Sequence, residues 1–142
     1  MEHKVIGFTG TQRGMTSSQR QQFEMLFNQL HIEAAGEIEF HHGDCIGADE
    51  DAHNIVAANT DGYGIWLHPP MNDKKRAWCR AYHVLPIKDY MNRNHDIVEA
   101  CDILIACPKG MTEELRSGTW ATIRYARILH KRVQILWPCK NC

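Results

Sequence analysis

The sequence predicts an α/β fold in which helices cover both faces of a parallel β-sheet. Short segments rich in β-forming residues alternate five times with segments whose apolar residues recur at helical spacing. This alternation is typical of parallel sheets, because a helix carries the chain back between successive parallel strands. One segment, Asp102–Cys107, is almost continuously apolar, as expected for a strand that is buried on both faces.

Local signals along the chain define the predicted elements. The five strands are Lys4–Thr9, Glu37–His42, Gly64–His68, Asp102–Cys107 and Arg132–Trp137. The four helices span about residues 17–34, 47–59, 90–101 and 118–130, and a capping box at Thr16 opens the first. His83–Leu85 is a further short extended piece. Right-handed crossovers favour the strand order 3-2-1-4-5 in a single three-layer domain that covers residues 1–142.

Composition limits the functional classes. Apolar residues make up 44% of the chain and charged residues 23%, as in ordinary globular domains. The net charge of −1 provides no broad basic field, which argues against a nucleic acid partner bound through its phosphates. No segment approaches the ~18 consecutive apolar residues that span a bilayer, and the N-terminal residues do not resemble a signal peptide. We therefore expect a cytoplasmic protein without a membrane partner.

Neither the cysteines nor the histidines predict a metal site. The six cysteines lie mostly in apolar or structured segments, and we expect reduced thiols in the cytosol. Cys139 and Cys142 form a C-x-x-C pair, but no second pair completes a zinc site. The nine histidines show no metal-ligand spacing, and the adjacent His41 and His42 would point to opposite faces of a strand. No metal or other cofactor is predicted.

The first of three candidate binding turns follows the first predicted strand. Gly10 and Gly14 let backbone N–H groups approach a ligand, Thr11 offers a hydroxyl, and Arg13 can bind a phosphate. A simple strand-to-helix loop with a solvated arginine is the alternative. We favour binding because this loop follows the central strand, where sheets of this kind bind their ligands.

The second turn, Gly43–Asp49, opens the second helix, whose N-terminal N–H groups favour an anion. Gly43 and Gly47 leave room for a phosphate or ribose, and Asp44 or Asp49 could accept hydrogen bonds from ribose hydroxyls. Asp49 has an equally good interpretation as a helix-capping carboxylate, since aspartate is a preferred N-cap residue.

The third turn opens the fourth helix. Ser117 is the expected N-cap, and Gly118 and Thr119 then offer N–H and hydroxyl donors to an anion. Each turn alone is a weak signal. Because the carboxyl ends of parallel strands share one sheet edge, the three turns together predict one cleft at the switch point between the first and fourth strands.

Further segments are candidates for the rim of this cleft. His68 and Pro69 follow the third strand and are candidates for a base pocket. Arg93 and Asn94 lie in the third helix, near the expected cleft, although surface exposure is a strong alternative for Arg93. The Lys74–Arg80 segment combines basic and aromatic residues, and it is either a lid over a phosphate or a solvated loop.

Taken in order, these motifs resemble the SLOG superfamily, the Rossmann-like group that joins the DNA-processing protein DprA to the LOG cytokinin-activating phosphoribohydrolases. The resemblance covers nearly the whole chain. It rests on Gly10-Thr11-Gln12-Arg13, Gly43–Asp49, Arg93-Asn94, Asp102–Pro108 and Ser117-Gly118-Thr119. The chain is similar to the small stand-alone members of bacteria and phages. The resemblance implies a nucleotide-derived small-molecule ligand and assembly into a dimer or tetramer.

The sequence departs from the LOG pattern at the catalytic position. LOG enzymes carry P-G-G-x-G-T-x-x-E, in which the glutamate is catalytic. Aligning Gly118-Thr119 with the Gly-Thr of that motif puts Thr122 at the glutamate position, and the alternative register puts Tyr125 there. Neither side chain can act as a carboxylate in glycoside hydrolysis. LOG-type hydrolysis through a carboxylate at this position is therefore not expected.

Three functional hypotheses follow. The leading one is a protein that senses or sequesters a nucleotide derivative, such as an ADP-ribose-like or cyclic nucleotide. The second is a nucleotide N-glycosidase that releases the base of a nucleoside monophosphate, with Asp44 or Asp49 replacing the missing glutamate. The third is a DprA-like binder of single-stranded DNA, for which only Lys74–Arg80 offers basic residues with aromatics.

Overall fold

A computed structural model describes residues 3–139, which fold around one parallel β-sheet. Its six strands are β1 (Lys4–Gly10), β2 (Ile38–His42), β3 (Ile65–Leu67), β4 (His83–Val84), β5 (Ile103–Cys107) and β6 (Arg132–Ile135). Their order across the sheet is β4-β3-β2-β1-β5-β6, and every neighbouring pair is parallel. The predicted α/β class is confirmed.

Four α-helices cover the sheet in two layers. They are α1 (Ser17–Glu33), α2 (Ala48–Asn59), α3 (Tyr90–Ala100) and α4 (Gly118–Ile128). Apolar residues of α1 and α2 share one buried cluster with Phe8 and Phe40, whereas those of α3 and α4 pack in a second cluster with Leu104 and Ala106. The sheet and a helix layer on each face form the predicted three layers. Within residues 3–139, no helix is long and apolar enough to cross a membrane.

The sheet has one strand more than the five predicted. The order of those five is confirmed, and β4 adds a sixth strand beside β3, where the sequence shows only a short extended piece. β4 has two residues, too few for an apolar pattern, and Val84 is exposed. Pairing with β3 and stacking of the His83 ring on Trp66, with centroids 3.9 Å apart, account for a strand that local sequence does not encode.

The switch point lies between β1 and β5. Gly10 and Cys107, the last residues of these strands, are register partners, and the chain leaves them on opposite sides toward α1 and α4. The Thr11 N–H donates to the Cys107 carbonyl at 3.0 Å, which ties the two departing loops together. Ligands of doubly wound sheets bind at such a point, because two diverging loops leave a crevice between them.

The cysteines differ in redox state. Cys45, Cys79, Cys101 and Cys107 are free thiols, as predicted. Cys139 is disulfide-bonded, so the prediction of a reduced thiol is wrong at this position. A disulfide depends on which thiols the fold brings together, which compartment and residue spacing do not determine. Cys142, the other half of the C-x-x-C pair, lies outside the described residues.

Candidate functional site

A cavity of about 480 Å³ opens at the switch point, beyond the carboxyl ends of β1 and β5. The loop after β1, the turn before α2, the first turns of α3 and the loop that leads into α4 all contribute to it. Ten of the predicted site residues line its wall: Gly10, Thr11, Gln12, Arg13, Asp49, Arg93, Asn94, Ser117, Gly118 and Thr119. The first and third turns therefore border one cavity, and the second turn contributes Asp49 and Cys45 to it but neither of its glycines.

The loop after β1 is held rigidly at the cavity. The Thr11 carbonyl accepts hydrogen bonds from Ala48 N–H at 2.9 Å and from Gly14 N–H at 3.2 Å. The Thr11 hydroxyl oxygen accepts from Arg13 N–H at 3.2 Å. Gly10 lies so close to α2 that an added Cβ would be 2.5 Å from the Ala48 methyl. The backbone of this loop is thus preorganised, and the Arg13 side chain is exposed at the rim.

The N-terminus of α4 faces the same cavity. Ser117 is its N-cap, and its hydroxyl accepts from Trp120 N–H at 3.2 Å. Gly118 and Thr119 are the first two helical residues, whose N–H groups have no partner inside a helix. These N–H groups and the helix dipole favour an anion at this end of the cavity.

Arg93 is the buried cation of the cavity wall, with a side chain only 6% exposed. Its Nη2 donates to Cys45 Sγ at 3.4 Å, and its Nη1 lies 3.9 Å from Asp49 Oδ2. Its Nε has no hydrogen-bond partner within residues 3–139. A buried donor without an acceptor is costly, so this guanidinium has unused capacity for an acceptor.

Asp49 is the buried acid of the cavity. It lies in the first turn of α2, whose N-cap is Gly47, so the N-cap interpretation does not describe its position. Its Oδ2 accepts a hydrogen bond from Cys45 N–H at 3.2 Å. Burial raises the pKa of Asp49 to about 6, although the charge of Arg93 opposes this shift. A carboxyl group with such a pKa can exchange a proton near neutral pH.

Gly43 makes room for the arginine. A Cβ on Gly43 would lie 1.3 Å from Arg93 Nη1, so the guanidinium occupies the space that a side chain would need. Gly47 has a φ of +94°, and an added Cβ would lie 2.4 Å from the Gln12 carbonyl oxygen. Both glycines permit close packing behind the cavity, and neither lines it.

Asp44 is fully buried outside the cavity lining, in a left-handed conformation with φ +51° that aspartate tolerates. Its carboxylate accepts hydrogen bonds from Arg76 Nε at 3.0 Å and from Cys79 N–H at 2.9 Å. It therefore anchors the connection between β3 and β4, which contains the whole basic segment Lys74–Arg80. This role is structural, in contrast to that of Asp49.

His68 and Pro69 are buried beside β2 and do not line the cavity. The His68 Nε2 lies 2.8 Å from His41 Nδ1. Burial lowers the pKa of His68 to about 3, so its ring is neutral at pH 7. The structure thus separates these two base-pocket candidates from the ten predicted residues that line the cavity.

His42, His53 and Cys79 bring three potential metal ligands within 4.8 Å of one another. Hydrogen bonds already engage the two histidine rings. His42 Nδ1 accepts from Asp44 N–H at 3.0 Å, so the neutral ring carries its proton on Nε2, which lies 2.9 Å from His53 Nδ1. A ligating histidine normally donates through its second nitrogen, whereas that nitrogen of His42 faces a donor. The donor set fits a hydrogen-bond network better than a metal site.

Seven lining residues were not among the predicted site residues: Phe8, Thr9, Cys45, Tyr90, Lys109, Glu114 and Arg116. Cys45 lies inside the second candidate turn, between residues that were selected. Lys109 and Arg116 belong to the loop before α4, and their charge near an anion-binding helix terminus was an available signal. Tyr90 begins α3, one turn before Arg93, on the same side of that helix.

Comparison with known proteins identifies the fold. No family model and no curated protein matches the sequence. The molybdenum cofactor binding protein of the phototrophic bacterium Rippkaea orientalis matches with a TM-score of 0.66 and 18% identity, over 96% of this chain and 78% of that one. The fold is Rossmann-like. A structural-genomics target, TM1055, matches with a TM-score of 0.63 and 17% identity, over 92% of this chain and 72% of that one.

Proposed function

We propose that the protein senses or sequesters a nucleotide or nucleotide-derived molecule, which it binds through a phosphate in the switch-point cavity. The observation that carries this proposal is Arg93, a buried guanidinium in the cavity wall whose Nε has no partner among the described residues. A phosphate oxygen is the strongest natural acceptor for such a group.

The charge of the lining supports an anion. Four cationic side chains line the cavity, Arg13, Arg93, Lys109 and Arg116, against two carboxylates, Asp49 and Glu114. Lys109 pairs with Glu114 at 3.3 Å, whereas Arg13 and Arg116 have no carboxylate partner within residues 3–139. With the N-terminus of α4 beside them, these charges form a field that favours phosphate.

Size and resemblance support a nucleotide as the carrier of that phosphate. The cavity volume of about 480 Å³ lies within the range of small-molecule sites. Four of the five motifs on which the SLOG resemblance rests contribute residues to the lining, and a protein of the same fold is described as binding the molybdenum cofactor. We expect an ADP-ribose-like or cyclic nucleotide and a cytoplasmic location, and the superfamily resemblance implies a homo-oligomer.

Calorimetric titration with AMP, cyclic AMP and ADP-ribose tests the proposal. At least one nucleotide should bind with a dissociation constant below ~1 mM, and Arg93→Gln should weaken it about tenfold or more by removing a charged hydrogen bond. Arg132→Gln, an exposed arginine on β6, is the matched control. Absence of binding across the panel, or equal affinity of the two variants, would contradict the proposal.

Asp49 favours a second candidate, nucleotide N-glycosidase activity. Its pKa of about 6 and its place in the cavity suit a general acid near a glycosidic bond. Asp44, whose carboxylate is engaged by Arg76, lacks that access. Chromatography of AMP incubated with the protein should then detect free adenine, and Asp49→Asn should abolish its release. An unchanged rate in Asp49→Asn would exclude this mechanism.

A further inference from the structure

Tyr90 is the exposed aromatic residue of the cavity. Two aromatic side chains line the cavity, Phe8 and Tyr90. Phe8 is 1% exposed and packs against Phe23 and Phe40 in the core, so no ligand can reach its ring. Tyr90 is 41% exposed. A planar ligand group therefore has one ring in this wall on which it can stack.

The Tyr90 ring is held in place. Its hydroxyl oxygen accepts a hydrogen bond from Gln12 Nε2 at 3.3 Å, and the Gln12 Oε1 accepts from Lys75 Nζ at 2.9 Å. The Arg93 guanidinium lies against the ring, with its Cζ 5.0 Å from the ring centroid. Among residues 3–139, no second ring or cation contacts it. The ring is thus positioned by its neighbours and remains 41% exposed in the lining that also contains Arg93.

We infer that Tyr90 sets the substrate class of the cavity by stacking on a heteroaromatic ring that is attached to the phosphate-bearing part of the ligand. This inference rests on the proposed function, because it assumes that a phosphate is bound near Arg93. Base–aromatic stacking tolerates any base, since every base has a π-face. The site should therefore select nucleotides over sugar phosphates without strong preference among bases.

The position of Tyr90 distinguishes this stacking site from the base pocket expected at His68 and Pro69. Those residues lie outside the cavity lining, whereas Tyr90 and Arg93 are one helical turn apart in α3. The same arginine that contacts the ring thus faces the phosphate region. A ligand with a short link between ring and phosphate can contact both residues at once.

Comparison of AMP with ribose 5-phosphate separates stacking from phosphate binding, because both carry the phosphate and only AMP carries a base. Calorimetry measures the dissociation constant of each ligand. Tyr90→Leu removes the aromatic face but keeps apolar volume, whereas Tyr90→Phe keeps the ring and loses the contact with Gln12. Tyr82→Leu, at a 66% exposed tyrosine outside the cavity lining, is the matched control.

We expect Tyr90→Leu to weaken AMP binding about fivefold or more and to change ribose 5-phosphate binding less than about twofold. Tyr90→Phe should lose less AMP affinity than Tyr90→Leu because it keeps the ring, and Tyr82→Leu should bind both ligands as the wild-type protein does. CMP should show the same loss as AMP. If Tyr90→Leu weakened the binding of AMP and of ribose 5-phosphate equally, Tyr90 would act only by supporting Arg93. That result would overturn the stacking inference but leave the proposal of phosphate binding intact. If AMP and ribose 5-phosphate both fail to bind the wild-type protein, the stacking inference is overturned, whereas the proposed function fails only if cyclic AMP and ADP-ribose also fail to bind.

Discussion

Two buried polar clusters lie on either side of Gly43, and they differ in how their hydrogen bonds are completed. Behind the cavity, the Asp44 carboxylate accepts from Arg76 and from the Cys79 N–H, and its own N–H donates to His42. In the cavity wall, Arg93 has one weak sulfur contact, a distant carboxylate and an Nε without a partner among residues 3–139.

Under the proposed function, one turn contributes one acid to folding and another to binding. A completed network stabilises one conformation, whereas an incomplete one at a cavity has capacity left for a ligand. Asp44 and Asp49 are five positions apart in the same turn, yet one anchors a connection and the other faces the cavity. The predictions below test this contrast.

Removal of the Asp44 carboxylate should have the largest effect on stability. Asp44→Ala leaves the nearly buried Arg76 guanidinium and the Cys79 N–H without their partner, and we expect a loss of about 3 kcal/mol in the free energy of unfolding. Urea denaturation followed by circular dichroism measures it. Asp73→Ala changes an exposed acid of the same connection and should have little effect. Similar stabilities for both variants would refute the structural role of Asp44.

The buried histidines should make stability depend on pH. Burial lowers the pKa of His42, His53 and His68, that of His68 to about 3. The unfolded chain therefore binds more protons than the folded one below about pH 6.5. The free energy of unfolding should be fully retained above that pH and fall on acidification, by up to ~1.4 kcal/mol per pH unit for each histidine.

Urea denaturation between pH 7.5 and 4.5 checks this slope. His68→Gln should flatten it, since this variant removes one titrating group, whereas His95→Gln changes a histidine outside the network and should leave the slope unchanged. Parallel curves for wild-type protein and His68→Gln would contradict the role assigned to burial.

Gly43 lies between the two clusters, and its substitution should affect them unequally. The Cβ in Gly43→Ala would overlap Arg93 Nη1, which lies at the far end of a flexible side chain and can move. We expect nucleotide affinity to fall about tenfold, as in Arg93→Gln, and the free energy of unfolding to fall less than in Asp44→Ala. Calorimetry and urea denaturation of the same variant give both quantities. If Gly43→Ala lowered the free energy of unfolding but left nucleotide affinity unchanged, Gly43 would serve folding and not the cavity.

The fold was largely predictable because its signals are local. Capping residues and apolar periodicity placed the four helices within two residues of their observed ends. The strand β4 was missed because pairing with β3, and not its own two residues, defines it. Local propensity predicts elements well where burial and periodicity agree.

The site was predictable in its loops but not in the roles of single residues. The turn after β1 and the start of α4 were found because glycine, threonine and serine there follow strands. The role of Gly43 depends on Arg93, and that of Asp44 on Arg76, side chains that belong to distant parts of the chain. Tyr90 was missed for the same reason, since only the fold brings its ring to the cavity.

The smallest expected effect concerns the charge of Asp49. Burial raises the pKa of Asp49 to about 6, so its carboxyl group is neutral below that pH and negative above it. Its negative charge lies 3.9 Å from the Arg93 guanidinium and competes with a bound phosphate. Nucleotide affinity should therefore rise as the pH falls through 6, by about fivefold between pH 7.5 and 5, which corresponds to ~1 kcal/mol of like-charge repulsion.

ADP-ribose is the ligand for this titration, because both its phosphates are esterified and their charge stays constant in this range. Asp49→Asn keeps an acceptor for the Cys45 N–H but does not titrate, so its affinity should be independent of pH and close to that of the wild-type protein at pH 5. A pH dependence that persists in Asp49→Asn would assign the proton to another group. Anion binding in the cavity wall would then depend on Arg93 and not on the protonation of Asp49.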